Sequence, residues 1–266
     1  MNLNLKDKVV VVTGGTAGLG KAIALGFAQE GCKLAICSRT SKRMEQGCAE
    51  LKAVGCEFYS QQVDVTDISA IDSFAKNVSG HFGHIDIWIN NAGANLLKRM
   101  MEITQEDWDY IFNTNLKSYF FATQFAIKDM VEKGIRGTIV NVSSYASIIP
   151  ALPQSLYGAS KIAINSLTRS FAADCACHGI RVVAVAPGWI KTERAYETAG
   201  NTDMKLILSE ISQQRMAEPE EIAKPVVFLA SDASSYITGT CLEISGGKFS
   251  VQRPWDGWPP SYAHNV

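Results

Sequence analysis

The 266-residue chain is predicted to be an α/β protein, a doubly wound (Rossmann) parallel sheet of about seven strands with helices on both faces. Three observations lead there. Short apolar runs alternate with helical patterns along the chain, as βαβ units do. Several runs, among them Val9-Val10-Val11-Val12 and Val182-Val183-Ala184-Val185, are apolar at every position, as strands covered on both faces must be. A glycine-rich turn follows the first run at once and opens a helical stretch.

Strands are expected at Lys8–Thr13, Lys33–Ser38, Glu57–Val63, Ile85–Asn90, Gly137–Ser143, Ile180–Ala186 and Cys241–Ile244. Helices are expected at Gly18–Glu30, Ser41–Ala53, Ile68–Phe82, Gln105–Glu132, Leu156–His178 and Pro219–Ala230. The stretch Gln105–Glu132 is long for one globular helix, so an interruption is expected near Asn113–Asn115. No repeat, low-complexity tract or Pro/Gly-rich linker divides the chain, and residues 1–266 read as one domain. Two segments break the alternation. Trp189 to Ser212 has mixed polarity and suits a mobile lid over a site. The tail from Gln252 to Val266 carries Pro254, Trp255, Trp258, Pro259, Pro260 and Tyr262. That aromatic content favours packing on its own subunit or a neighbour over a frayed terminus.

The net charge of −1, with both signs interspersed, argues against a general electrostatic grip on nucleic acid or an anionic membrane. No apolar run approaches the ~20 residues of a membrane helix. Residues Met1 to Lys8 lack the apolar core of a signal peptide, and a cytoplasmic location is expected. Seven cysteines include one close pair, Cys175-x-Cys177, whose members point to different faces of a helix. They read as reduced, semi-polar core residues. The four histidines are scattered without ligand spacing, so no metal is expected.

The turn Thr13-Gly14-Gly15-Thr16-Ala17-Gly18-Leu19-Gly20 removes side chains where a ligand must approach the backbone. The helix N-terminus beyond it offers unpaired N–H groups and partial positive charge, a seat for a pyrophosphate. The spacing is G-x-x-x-G-x-G. The usual dinucleotide fingerprint G-x-G-x-x-G is absent, because Ile23 stands where its third glycine would fall. Gly14, Thr16, Gly18, Leu19 and Gly20 are the candidate cradle. At the end of the second strand an acidic residue would favour NAD and an arginine NADP. The chain reads Ser38-Arg39-Thr40 there. Arg39 can fork onto a 2′-phosphate, Ser38 and Thr40 can donate to it, and Lys42 and Arg43 add charge. NADP(H) is therefore expected over NAD(H). The alternative is that Arg39 stacks on adenine and both cofactors are accepted.

Downstream lie Asp64-Val65, Asn90-Asn91-Ala92-Gly93, Asn115, Ser144, Tyr157-x-x-x-Lys161 and Pro187-Gly188-Trp189-Ile190-Lys191-Thr192. With the glycine turn, in this order, they resemble the short-chain dehydrogenase/reductase family in its single-domain form, over about Leu5 to Gly247. The resemblance implies that Asp64, beside Val65, contacts the adenine amino group. Asn91, Ala92 and Gly93 would line the adenosine side and stabilise the central strand. Thr192, in the segment with Pro187, Gly188 and Ile190, would hold the nicotinamide carboxamide, and Asn115 would anchor a water in a proton relay. It also implies a homodimer or homotetramer built on Gln105–Glu132 and Leu156–His178.

Tyr157 and Lys161 lie one helical turn apart and project from one face. A phenol with pKa near ~10 is a reluctant acid at neutral pH, and moving it to about 7 takes roughly 4 kcal/mol. One ammonium about 4 Å away supplies about that much at an effective dielectric near 20. Tyr157 is thus the expected proton donor, acidified by Lys161, which can also hold the cofactor ribose. Ser144 ends a strand and can donate to the substrate oxygen; Ser143 points to the opposite face. The substrate wall is expected from Ala94–Met101, Tyr145–Leu156 and Trp189–Leu208. It mixes Tyr145, Ile148, Ile149, Leu152, Trp189 and Tyr196 with Asn95, Gln154 and Glu193. A sugar, polyol or small hydroxy-ketone is favoured, with 3-oxoacyl thioesters and steroid-type ketones as competitors. A non-catalytic dinucleotide sensor is the alternative of another class.

Overall fold

Each of the strands β1 (Val9–Thr13) and β5 (Thr138–Val142) is buried along its whole length. The computed structural model describes residues 2–248, so the aromatic tail at 252–266 lies outside the described residues. The chain continues from β1 through α1 (Gly18–Gln29), β2 (Lys33–Ser38), α2 (Ser41–Ala53), β3 (Phe58–Gln62), α3 (Ile68–Phe82) and β4 (Ile87–Asn90). The helices α4 (Gln105–Phe112) and α5 (Ser118–Glu132) precede β5, and α6 (Ser155–Cys175) leads to β6 (Arg181–Pro187). Two short helices, α7 (Glu193–Ala199) and α8 (Met204–Ser209), then α9 (Pro219–Ala230) and β7 (Cys241–Ile244), complete the described chain.

All seven strands pair in parallel, in the order β3-β2-β1-β4-β5-β6-β7. The chain builds outward from β1 to β3, then returns to place β4 on the other side of β1. That reversal opens a crevice beyond the C-terminal ends of β1 and β4. Successive residues of each strand enter opposite cores. Val10, Val12, Leu34, Ile36 and Val183 pack with Phe27 of α1 and Val226 of α9. Val9, Val11, Ala35, Trp88 and Val182 pack with Phe74 of α3, Ala126 of α5 and Ala172 of α6. Two apolar faces are why these strands read as unbroken apolar runs.

The expected interruption is a turn of π-helix at Asn113–Lys117, joining α4 to α5. Such bulges re-aim side chains without ending the helix. Thr104 starts α4 with a capping box shared with Asp107. The segment expected to be a lid forms α7 and α8, and α7 is tied to the loop after β4 by Asn95 Nδ2 donating to Thr198 Oγ1 at 3.1 Å.

Candidate active site

The turn after β1 is shaped by its glycines. Gly14 and Gly18 sit at φ +65° and +51°, backbone that side-chain-bearing residues rarely adopt. A Cβ on Gly20 would lie 2.2 Å from the Gly14 carbonyl oxygen and 2.4 Å from Asn91 Nδ2. The segment after β4 pins this turn. Asn91 Nδ2 donates to the Thr13 carbonyl at 2.9 Å, and the Asn91 and Ala92 amides donate to Thr13 Oγ1 at 2.9 and 3.1 Å. Ala17, the residue before α1, makes no side-chain cap, so the first amides of α1 remain for a ligand.

Every residue expected to hold the dinucleotide, from Gly14 to Thr192, lines one cleft of about 430 Å³ that also contains Ser144. That cleft runs from the glycine turn to Ser144, and an extended dinucleotide suits it. At the adenosine end, Ser38, Arg39, Thr40 and Arg43 line the cleft. Gln62 Nε2 donates to the Arg39 carbonyl at 3.0 Å. Asp64 Oδ1 accepts from the amide and hydroxyl of Thr66 at 2.9 and 2.8 Å, which holds that carboxylate at the cleft wall.

At the other end, Ser144 follows β5. Its Oγ accepts from the Ala146 amide at 3.2 Å and hydrogen-bonds the Tyr157 phenol. Ser143 Oγ instead donates to the Lys161 carbonyl at 3.2 Å. Lys161 is 3% exposed. Its Nζ donates to the Val142 carbonyl at 2.9 Å and lies 5.0 Å from the Tyr119 ring centroid and 5.7 Å from that of Tyr157.

Here the structure corrects the expected acidification. Burial raises the Tyr157 pKa, and the Ser144 hydrogen bond and the Arg194 charge only oppose that rise. Burial, with Arg194 adding, pushes Lys161 down to about 7. Desolvation disfavours the charged form of both groups. Burial thus works against the Coulomb effect assumed from spacing alone.

Asn115 lies outside the cleft lining, behind Gly93: a Cβ there would be 3.3 Å from Asn115 Oδ1 and 3.8 Å from Lys161 Nζ. Its Oδ1 accepts from the Ala94 amide at 2.7 Å, and its Nδ2 donates to the Ala94 carbonyl at 2.9 Å and to Ser160 Oγ at 3.1 Å. The side chain clamps the loop after β4 to α6. Thr192 caps α7, its Oγ1 accepting from the Ala195 amide at 3.3 Å.

Sequence reasoning missed Arg194 and Tyr119. Arg194 stands on the first turn of α7, lines the cleft with Tyr157, and its charge reaches Tyr157, Lys161 and Tyr119. Locally, Glu193-Arg194 reads as a solvated helix start, and only the fold aims it. Tyr119 carries no local signal beyond apolar periodicity. Above the site, Tyr145 stacks on Trp189 at 6.2 Å, and Lys248, paired with Glu210, lies 5.2 Å from the Tyr145 ring centroid.

A crevice at the switch point of a parallel sheet, with a glycine-rich turn at one end and the Ser144–Tyr157–Lys161 group at the other, defines a dinucleotide-dependent oxidoreductase. Residues 14–248 match the family model described as enoyl-(acyl carrier protein) reductase. The chain is 36% identical over 252 residues to a 3-oxoacyl-[acyl-carrier-protein] reductase of Thermotoga maritima, covering 92% of this chain and 99% of that one. It is also 36% identical over 247 residues to a 2-dehydro-3-deoxy-D-gluconate 5-dehydrogenase of Escherichia coli, covering 92% and 96%. The crystal structure of a short-chain type dehydrogenase/reductase from Mycobacterium marinum superposes with a TM-score of 0.89 at 34% identity, over 94% of this chain and 98% of that one. The chain belongs to the short-chain dehydrogenase/reductase family. It is an oxidoreductase of the class that interconverts CH–OH and carbonyl groups with a nicotinamide dinucleotide.

Proposed function

We propose that the protein is an NADP(H)-dependent oxidoreductase that interconverts a ketone and a secondary alcohol of a sugar, polyol or small hydroxy-ketone. The observation that carries this reading is the Ser144–Tyr157–Lys161 group at one end of a cleft whose other end bears Arg39 and Arg43. The cofactor, when bound, supplies or accepts the hydride. Ser144 donates to the substrate oxygen and favours the developing alkoxide. Tyr157 gives that oxygen its proton in reduction and takes it back in oxidation. Lys161 holds the nicotinamide ribose hydroxyls and keeps positive charge beside the phenol. Pro187, Gly188, Ile190 and Thr192 bound the nicotinamide, with Thr192 at its carboxamide. Arg39 and Arg43 take the 2′-phosphate, Ser38 and Thr40 donate to it, and Asp64 and Val65 meet the adenine.

Arg194 sharpens the substrate class. A guanidinium that lines the reaction end and makes no ion pair among the described residues favours a substrate bearing a carboxylate, hence a sugar acid. The sugar-acid 5-dehydrogenase among the relatives agrees with that choice. A second reading, reduction of a 3-oxoacyl thioester, draws support from the exposed apolar residues Met101 and Leu152, 90% and 88% exposed, and from the acyl-carrier-protein reductase among the relatives. Turnover of reduced cofactor over matched keto-sugar acids, neutral keto-sugars and 3-oxoacyl thioesters separates the two. Arg194→Gln is expected to lower kcat/KM about tenfold for the acids alone, the loss of one charge-assisted hydrogen bond. Best turnover on the thioester, unaffected by that change, overturns the sugar-acid reading. Binding of NADPH with turnover of none of them returns the sensor reading.

The same reading takes the protein as cytoplasmic and as a homodimer or homotetramer through α4, α5 and α6. The half-buried rings of Phe120, Phe121 and Phe171, with centroids 5.3 and 5.2 Å apart, support an apolar face there. Light scattering tests it, and a monomer at micromolar concentration overturns it.

A further inference from the structure

The buried ammonium of Lys161 has a neighbour that the steps above do not use. The Val142 carbonyl that accepts Lys161 Nζ at 2.9 Å also accepts the Tyr119 hydroxyl, at 3.2 Å. The ammonium lies over the Tyr119 ring, 5.0 Å from its centroid. Tyr119 is 3% exposed and stands in the first turn of α5, just past the π turn at Asn113–Lys117. We propose that Tyr119 is a positioning residue for Lys161: its ring face holds the ammonium in the charged form. The proposal rests on the role given above to Lys161.

The physical case begins with what a buried cation needs. An ammonium out of water must be compensated by hydrogen bonds and charge. Val142 supplies one acceptor, and among the described residues no carboxylate acts on Lys161. The negative face of an aromatic ring within about 6 Å is the remaining compensation, and it counts for more when desolvated. From the elements around it, Lys161 meets Tyr119 of α5, Tyr157 of its own α6 and the repelling charge of Arg194 on α7. The strand β5 offers only a carbonyl, and the Gly93 backbone and the Asn115 amide nearby are uncharged. Burial and Arg194 already bring Lys161 to about 7. Near that balance, a tenfold bias from one ring face decides whether the lysine is charged in the working range.

The competing explanation is that Tyr119 is a core residue whose hydroxyl found a convenient carbonyl. Ring electronics separate the two at constant shape. In the full-length enzyme, Tyr119 is replaced by phenylalanine and then by 4-fluoro-, 3,5-difluoro- and 3,4,5-trifluorophenylalanine, and both kcat/KM and the NADPH Kd are followed against pH. Loss of a stabiliser lowers the lysine pKa, so the limb where activity falls with rising pH moves to lower pH. Tyr119→Phe is expected to stay within about 0.3 pH unit of wild type. The fluorinated series is expected to move the limb down in steps, by about one unit at the trifluoro variant, with NADPH binding about tenfold weaker above neutrality. A limb and a Kd that do not change along the series overturn the proposal. So does a full shift already present in Tyr119→Phe, which would assign the effect to the hydroxyl. The Kd is read without turnover, so failure here is distinguishable from failure of Tyr157 as the acid.

Discussion

The two ends of the cleft are made of different materials. The pyrophosphate turn is mostly backbone: glycines at positive φ and uncapped helix amides, pinned by the Asn91 and Thr13 side chains bonding each other's main chain. The reaction end is side chain, with Tyr157 and Lys161 moved from their usual pKa values by burial and coupled through Ser144, Tyr119 and Arg194. Backbone donors carry no titratable group and have one geometry, so they bind without choosing a rate. Buried ionisable groups do the reverse, because a small change in their surroundings alters how much of each protonation state is present. Damage to the turn should therefore appear in affinity, and damage to the reaction end in turnover and its pH dependence.

The largest effect expected is at the phenol. Tyr157→Phe removes the proton donor and keeps the ring that packs beside Lys161, so kcat should fall by about 10²–10⁴ while the NADPH Kd, from fluorescence titration, stays within about twofold of wild type. A variant that keeps more than about a tenth of wild-type kcat removes Tyr157 from the mechanism.

At the other end, Gly20→Ala places a methyl 2.2 Å from the Gly14 carbonyl oxygen, and that atom is backbone and cannot swing aside. Overpacking of this kind costs about 1–3 kcal/mol. NADPH binding should weaken by up to about 100-fold, with the pH profile of the residual activity unchanged. A shifted profile would mean that the two ends are mechanically coupled. Comparable in size is the choice of cofactor. Arg39→Asp replaces a fork on the 2′-phosphate with a repelling charge, and the ratio of kcat/KM for NADPH to that for NADH should fall by roughly 10- to 100-fold. A wild-type enzyme that prefers NADH would refute the assignment of NADP(H) at the outset.

The same contrast explains what could be read from the chain before its fold. The seven strands were legible to within two residues because both faces of the sheet are apolar, whereas α7 and α8, in the mixed-polarity segment after β6, were not. The break in the helix at Asn113–Lys117 was legible because Gln105–Glu132 is too long for one helix. The backbone-built turn was legible because glycine has so few other uses in such a pattern. The electrostatics of the reaction end were not. The spacing of Tyr157 and Lys161 indicates a shared face, yet the sign of the Tyr157 shift depends on burial, which is a property of the packed fold. Tyr119, Arg194 and the Val142 carbonyl reach Lys161 from three other elements, and no local pattern brings them together. Asn115 was found by its motif, but its partners, Ala94 and Ser160, follow only from tertiary contact.

The smallest effect sharpens the contrast most. Arg39 is exposed, and attraction between exposed charges is screened over a Debye length of about 10 Å at 0.1 M salt and about 3 Å at 1 M. Lys161 is buried, and buried charges are screened much less. Raising ionic strength from about 0.05 to 0.5 M should therefore raise the KM for NADPH about threefold, in keeping with the ~0.2–1 kcal/mol carried by an exposed pair. Over the same range kcat and the position of its pH limbs should hold steady. NADH, which lacks the 2′-phosphate, should lose less affinity than NADPH, and Arg39→Asp should lose still less. If kcat or its limbs move with salt instead, solvent and ions reach Lys161 during turnover. The reaction end would then be as open as the adenosine end, and the division of labour between them would not hold.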